Sequence, residues 1–223
     1  MIIEFLGVSG VGKTTLAKKY QSELEYAGRH IIWDTYNMYA NNGWLNRNIK
    51  KSIVVSRFFI RNHLWVYQIY DYIKGQIASP IDRIGPLFNA IYLKKLYSAA
   101  QKDESDHLFD EGVFQLLMAI KLRNSGNVKR GDVLAMIDLF GCPTKIISVN
   151  APASIIASRL VERGEHVKLM EYGEILPKIE TMLEVQQSIV DLASELTTVE
   201  KIDNYIKDDR CYTATQFRGE NEN

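Results

Sequence analysis

Apolar positions along the chain follow two rhythms. Short stretches such as IIEFL (Ile2 to Leu6), HIIWD, HLFDEG, TKIISVN and TTVEKID have the length of strands in a buried sheet, the first of them fully buried apart from Glu4. Between them run longer amphipathic segments. One spans Lys13 to about Ala27 and is closed by Gly28. VFQLLMAIKLRNSG is stopped near Gly126, and GDVLAMIDLFG is terminated by Gly141 and Pro143. APASIIASRLVERG has Pro152 near its first turn, and EILPKIETMLEVQQSIVDLASEL is a long final helix. Strand, helix and strand within the first part of the chain have the size of a βαβ unit, and their continued alternation predicts a parallel sheet covered on both faces.

From Tyr36 to Lys102 the texture changes. NMYANNGW is polar and loop-like, while IVVSRFFIRNHLWVYQIYDYIKGQ is aromatic; its first half fits strand or helix, and a helix, which puts Arg57 and Arg61 on a shared face, is the favoured reading. Pro80 and Pro86 break the pattern before IGPLFNAIYLKKLYSAAQK resumes it. Residues 36–102 are therefore a helical insertion between the second and third strands.

Length and composition narrow the class. The 223 residues suit a single domain, 1–223, ending in a polar tail (218–223) expected to be mobile. Lys+Arg and Asp+Glu are equal at 27 each, so there is no basic field and no nucleic-acid partner is expected. Cys142 and Cys211 form no ligand spacing. No secretory signal and no membrane-length apolar stretch is visible, which makes a reducing cytoplasm the expected location.

Ligands on parallel sheets sit at the carboxyl ends of the strands. Here those ends carry GVSGVGKT, Asp34, Asp110-Glu111 and Asn150. GVSGVGKT fits G-x-x-x-x-G-K-[ST] at Gly7, Gly12, Lys13 and Thr14 without a mismatch. In such a loop the amides of Gly10, Val11, Gly12, Lys13, Thr14 and Thr15 converge on phosphate oxygens at a helix N-terminus. The Lys13 ammonium reaches the β- and γ-phosphates, and the Thr14 hydroxyl helps hold Mg²⁺. Thr15 either touches the α-phosphate or simply occupies the first helical turn.

Asp110 and Glu111 are candidates to orient the metal's waters opposite Thr14, or to accept a hydroxyl proton; sequence does not say which of the two meets the metal. Asp34 is a candidate base or hydroxyl anchor on the acceptor side, or a loop acid with no ligand. Arg159 and Arg163, at i and i+4, could close over the phosphates, with a lid expected over 159–173. Arg57 and Arg61 could grip an anionic acceptor, though a solvated face is the simpler reading. His63 and His107 read as structural.

With these residues in view, GVSGVGKTT, FDEGVFQLL and IISVNAPASIIASRLVERGE together resemble the P-loop kinases of the nucleoside and nucleotide group, thymidylate kinase most of all. The resemblance covers most of the chain outside 36–102. It implies a three-layer α/β/α fold with a five-stranded parallel sheet in the order 2-3-1-4-5. It also implies ATP and Mg²⁺, and phosphate-binding lid arginines at Arg159 and Arg163. The chain departs from thymidylate kinases in carrying Glu111 where they have an arginine, and in lacking their proline after the second strand. Both departures fall in the acceptor half of the site. The expected function is γ-phosphoryl transfer from ATP to a small-molecule acceptor, a nucleotide or nucleoside among the options. The alternative is a regulatory ATPase whose insertion binds a partner protein. The helices of 36–102 could also pair two copies across a two-fold axis.

Overall fold

The computed structural model describes residues 1–33, 44–124, 126–163 and 172–204. Five strands form one wholly parallel sheet: β1 (Ile2–Leu6), β2 (Ile31–Trp33), β3 (Asp106–Phe109), β4 (Lys145–Asn150) and β5 (Thr198–Asp203). Their order is β2-β3-β1-β4-β5. The P-loop strand β1 therefore lies in the centre, with Glu4 beside Phe109 on one side and Ile146 on the other.

The period-two alternation of β1 divides the core in two. Ile3 and Phe5 face one apolar cluster, closed by α1 (Lys13–Tyr26) and α7 (Ala153–Glu162). Ile2 and Leu6 face the other. That larger cluster is built from α2 (Trp44–Arg61), α3 (His63–Gln76), α4 (Pro80–Ala100), α5 (Val113–Lys121), α6 (Arg130–Phe140) and α8 (Tyr172–Ala193). Both faces of the sheet are thus covered, which is why its strands read as nearly continuous apolar runs. Glu4 corrects the sequence reading: it is as buried as its neighbours, at 1% exposure, on the face of Ile2 and Leu6.

The insertion between β2 and β3 differs from its sequence reading in two places. The aromatic stretch is two helices rather than one, parted at Asn62, whose side chain turns back to donate to the Phe58 carbonyl at 3.0 Å. Pro80 begins a helix instead of breaking one. It sits in the first turn of α4, where no N–H is required, behind Ser79, which accepts the Asp82 amide. Pro86 then lies inside that helix. Trp65 ties the insertion to α6, its ring edge-on to Phe140 at 5.3 Å and its Nε1 donating to the Leu139 carbonyl at 2.8 Å. Downstream, α5 stops at Lys121, a turn follows over residues 122–124, and the Gly126 amide donates to the Lys121 carbonyl. No helix among the described residues is long and apolar enough to cross a membrane.

Candidate active site

Residues 7–12 join β1 to α1, and Gly12 is the N-cap of that helix at φ 97°. L side chains rarely adopt this conformation, and a Cβ here would also fall on the Asn204 amide nitrogen. The loop borders a cleft of about 470 Å³. Val8, Ser9, Gly10 and Gly12 through Thr15 line one side, Asp110 and Glu111 a second, and Arg163 a third. Two glutamines fix the start of the loop. Gln115 on α5 accepts the Gly7 amide at 3.3 Å, and buried Gln186 on α8 accepts the Val8 amide at 3.2 Å. Gln186 is held in turn by donating to Ser148 Oγ, the Val149 carbonyl and Asn150 Oδ1.

Lys13 lies folded against its own loop, donating to the Gly7 carbonyl at 2.6 Å and the Val8 carbonyl at 3.2 Å. Burial pulls the ammonium down to about 8. The carboxylates of Glu111 and Asp110 resist that pull, and Arg163 adds to it.

Asp110 is gripped from two sides. Thr14 donates its hydroxyl to Oδ2 at 3.4 Å, and Trp33 donates Nε1 to Oδ1 at 3.3 Å. A hydroxyl and a carboxylate converging at the end of a phosphate loop form a hard-oxygen donor set that suits Mg²⁺ carried by phosphates. Glu111 opens onto the cleft, yet enough protein surrounds it to raise its pKa. Loss of hydration is the main cause and repulsion from Asp110 the second, while Lys13 and Lys51 pull the other way.

A second cavity, of about 210 Å³, adjoins the first and shares Glu111 with it. Its far wall comes from the insertion. Lys51 of α2 donates to Asn89 at 2.8 Å and stands over the Tyr92 ring at 4.9 Å. Its near wall is α5, with Gln115, Leu116 and Ala119. The chemistry available is thus a loop able to cradle phosphate with a cation, a metal-compatible oxygen pair, and a carboxylate standing between that loop and a separate chamber of mixed polar and apolar lining.

The structure brings together Gly10, Gly12, Lys13, Thr14, Thr15, Asp110, Glu111 and Arg163 around one cleft. Arg159 does not line that cleft, although its guanidinium lies against the loop beside Gly12. That guanidinium donates to the Val11 carbonyl at 3.0 Å and the Asn204 carbonyl at 2.9 Å, because the end of β5 lies beside the loop and offers the nearer acceptors. Val11 is likewise not part of the cleft wall: its side chain is core, and its carbonyl takes Arg159 and Asn204. Arg57 and Arg61 are exposed on α2 and line neither cavity. Asp34, most of the expected lid and the tail lie outside the described residues. Sequence reasoning missed Trp33, Lys51, Gln115, Gln186 and Asn204. Only Trp33 left a trace, as the large polar-tipped residue just before the strand-end acid.

No protein-family model matches the chain, and no curated protein matches its sequence. Solved structures do match its fold. A deoxyadenosine kinase from M. mycoides with the products dCMP and dCDP bound superposes with a TM-score of 0.54 at 16% identity, covering 92% of each chain. The same enzyme with bound dATP gives a TM-score of 0.51 at 15% identity, again covering 92% of each. With its sheet order β2-β3-β1-β4-β5 and flanking helices, the chain has the fold of the P-loop nucleoside kinases.

Proposed function

We propose that this protein transfers the γ-phosphoryl group of ATP to a hydroxyl of a small acceptor of the nucleoside or nucleotide class. The observation that carries the reading is the sharing of Glu111 between the phosphate-loop cleft and the second cavity under the insertion. Hydrolysis alone would need only the first. Backbone amides from Gly10 to Thr15 and the Lys13 ammonium cradle the triphosphate, and Arg163 neutralises charge from the third side. Thr14 and Asp110 would hold Mg²⁺, which would supply charge neutralisation to the phosphates. The acceptor lies between Lys51 and Glu111, with Asp34 assigned to the same side. Its hydroxyl oxygen attacks phosphorus, the bridging P–O bond to the β-phosphate breaks, and the hydroxyl proton passes to a carboxylate, for which raised-pKa Glu111 is suited.

The same reading pairs two copies through the outer face of the insertion. Ile60, Leu64, Tyr67, Ile81 and Ile84 of its helices are exposed large apolar side chains, of the kind an interface would cover.

Radiolabelled ATP with Mg²⁺ and a panel of nucleosides, nucleoside monophosphates and sugars tests the central reading. Transfer of label to one class is expected, and ATP hydrolysis with no labelled acceptor anywhere in the panel overturns it.

A further inference from the structure

Glu4 is a carboxylate placed where a strand residue of the core should be apolar. It sits three positions before Gly7, in the strand that becomes the phosphate loop, with Ile2 and Leu6 on its face. A charge at this depth is costly, and three hydrogen bonds offset that cost only in part, since loss of hydration still raises the Glu4 pKa to about 7. Oε1 accepts the Val113 amide at 2.6 Å and the Tyr97 hydroxyl, and Oε2 accepts the Phe114 amide at 3.1 Å. Val113 and Phe114 are the first residues of α5, so the carboxylate also meets the positive end of that helix.

The space it occupies is borrowed from Gly112. Backbone at Gly112 is extended, a conformation open to any residue, but a Cβ there would land on the carboxyl carbon of Glu4. The glycine that follows Asp110 and Glu111 is therefore required by a side chain more than a hundred residues earlier.

We infer that Glu4 is a positioning residue that clamps the amino end of α5 onto β1 and so sets the Asp110–Glu111 turn at a fixed offset from Lys13 and Thr14. The logic is one of shared reference. β1 leads directly into the loop that carries Lys13 and Thr14, and the residues Glu4 grips follow directly on the acidic turn. All the donors aimed at Glu4 need an acceptor. A glutamine of the same shape presents an N–H₂ to one of them and leaves the grip incomplete. The consequence for metal and acceptor rests on the proposed phosphotransfer; the seating of the turn does not.

The test compares the full chain with Glu4→Gln and with Asp132→Asn, which weakens the same helix at its other end through Lys121. Two readouts are used: amide hydrogen exchange over residues 110–114, and the Mg²⁺ concentration that half-maximally tightens binding of a fluorescent ATP analogue. In Glu4→Gln, exchange over 110–114 should accelerate by about tenfold or more. The Mg²⁺ midpoint should rise about tenfold, while metal-free analogue affinity stays within about twofold. Asp132→Asn should move neither. Unchanged exchange or an unchanged midpoint in Glu4→Gln overturns the inference, as does Asp132→Asn matching it in both. Should the wild-type chain bind no analogue at all, the phosphotransfer reading falls and exchange alone decides the seating. Should Glu4→Gln fail to fold, Tyr97→Phe, which removes one donor, is expected to shift both readouts the same way by a smaller factor; no shift overturns the inference.

Discussion

Lys13 is a side chain that burial makes unfavourable for the fold and to which the proposed function gives the central cationic role. Its pKa of about 8 lies below the ordinary lysine value because burial strips water from the ammonium. Between about 8 and the unfolded value, the unfolded chain binds the proton that the native chain has lost, so this group's stability penalty is full below pH 8 and fades as pH rises. Lys13→Met should therefore leave the melting temperature at pH 7 unchanged or raised while abolishing ATP binding; unaltered ATP affinity refutes the role given to the loop. A triphosphate beside the amine restores its charge. ATP affinity in the wild-type chain should then fall about tenfold per pH unit above 8, with one proton taken up on binding. Titration calorimetry in two buffers of different ionisation enthalpy measures that proton.

At the level of elements, α5 is the hinge between the two halves of the site. Glu4 holds its amino end and Gln115 in its first half touches the phosphate loop. Its last residue, Lys121, makes a buried ion pair of 2.6 Å with Asp132 on α6. Asp132 also accepts from Tyr72 and Gln76 on α3, so this one carboxylate joins α3, α5 and α6. Removing one partner leaves an uncompensated charge in the core. Asp132→Ala should cost about 3–5 kcal/mol, whereas replacing the pair by Lys121→Met with Asp132→Leu should recover most of that loss. Urea unfolding of the single and double variants reads the difference; equal losses in both would show that the pair is not what the helix depends on.

Across the whole molecule, the order β2-β3-β1-β4-β5 brings the phosphate loop, the acids after β3 and the end of β5 to one edge. The insertion forms the outer wall of the second cavity and also presents the apolar face of α2, α3 and α4. If two copies meet there, light scattering at micromolar concentration should give twice the mass of one chain. Leu64→Asp with Tyr67→Asp should halve it, since burying carboxylates in an apolar interface is unfavourable by several kcal/mol. A wild-type monomer ends the pairing, and capture of a different protein on this face would favour the regulatory alternative.

What the sequence determined by itself was local. Five strands, the helices between them, the glycine-rich loop and the acids at the end of β3 were all legible, because period and glycine spacing express the backbone's own geometry. Arg159, Glu4 and the insertion's helix breaks were not. Arg159 shares a helical face with Arg163, but the carbonyls of Val11 and Asn204, brought near only by packing of the β5 end, decide where its guanidinium goes. Glu4 looks like a solvated exception in an apolar strand until α5 turns two amides toward it. Periodicity fixes which face a residue is on; only the tertiary structure supplies the donors, acceptors and low-dielectric surroundings that determine what a charge on that face does.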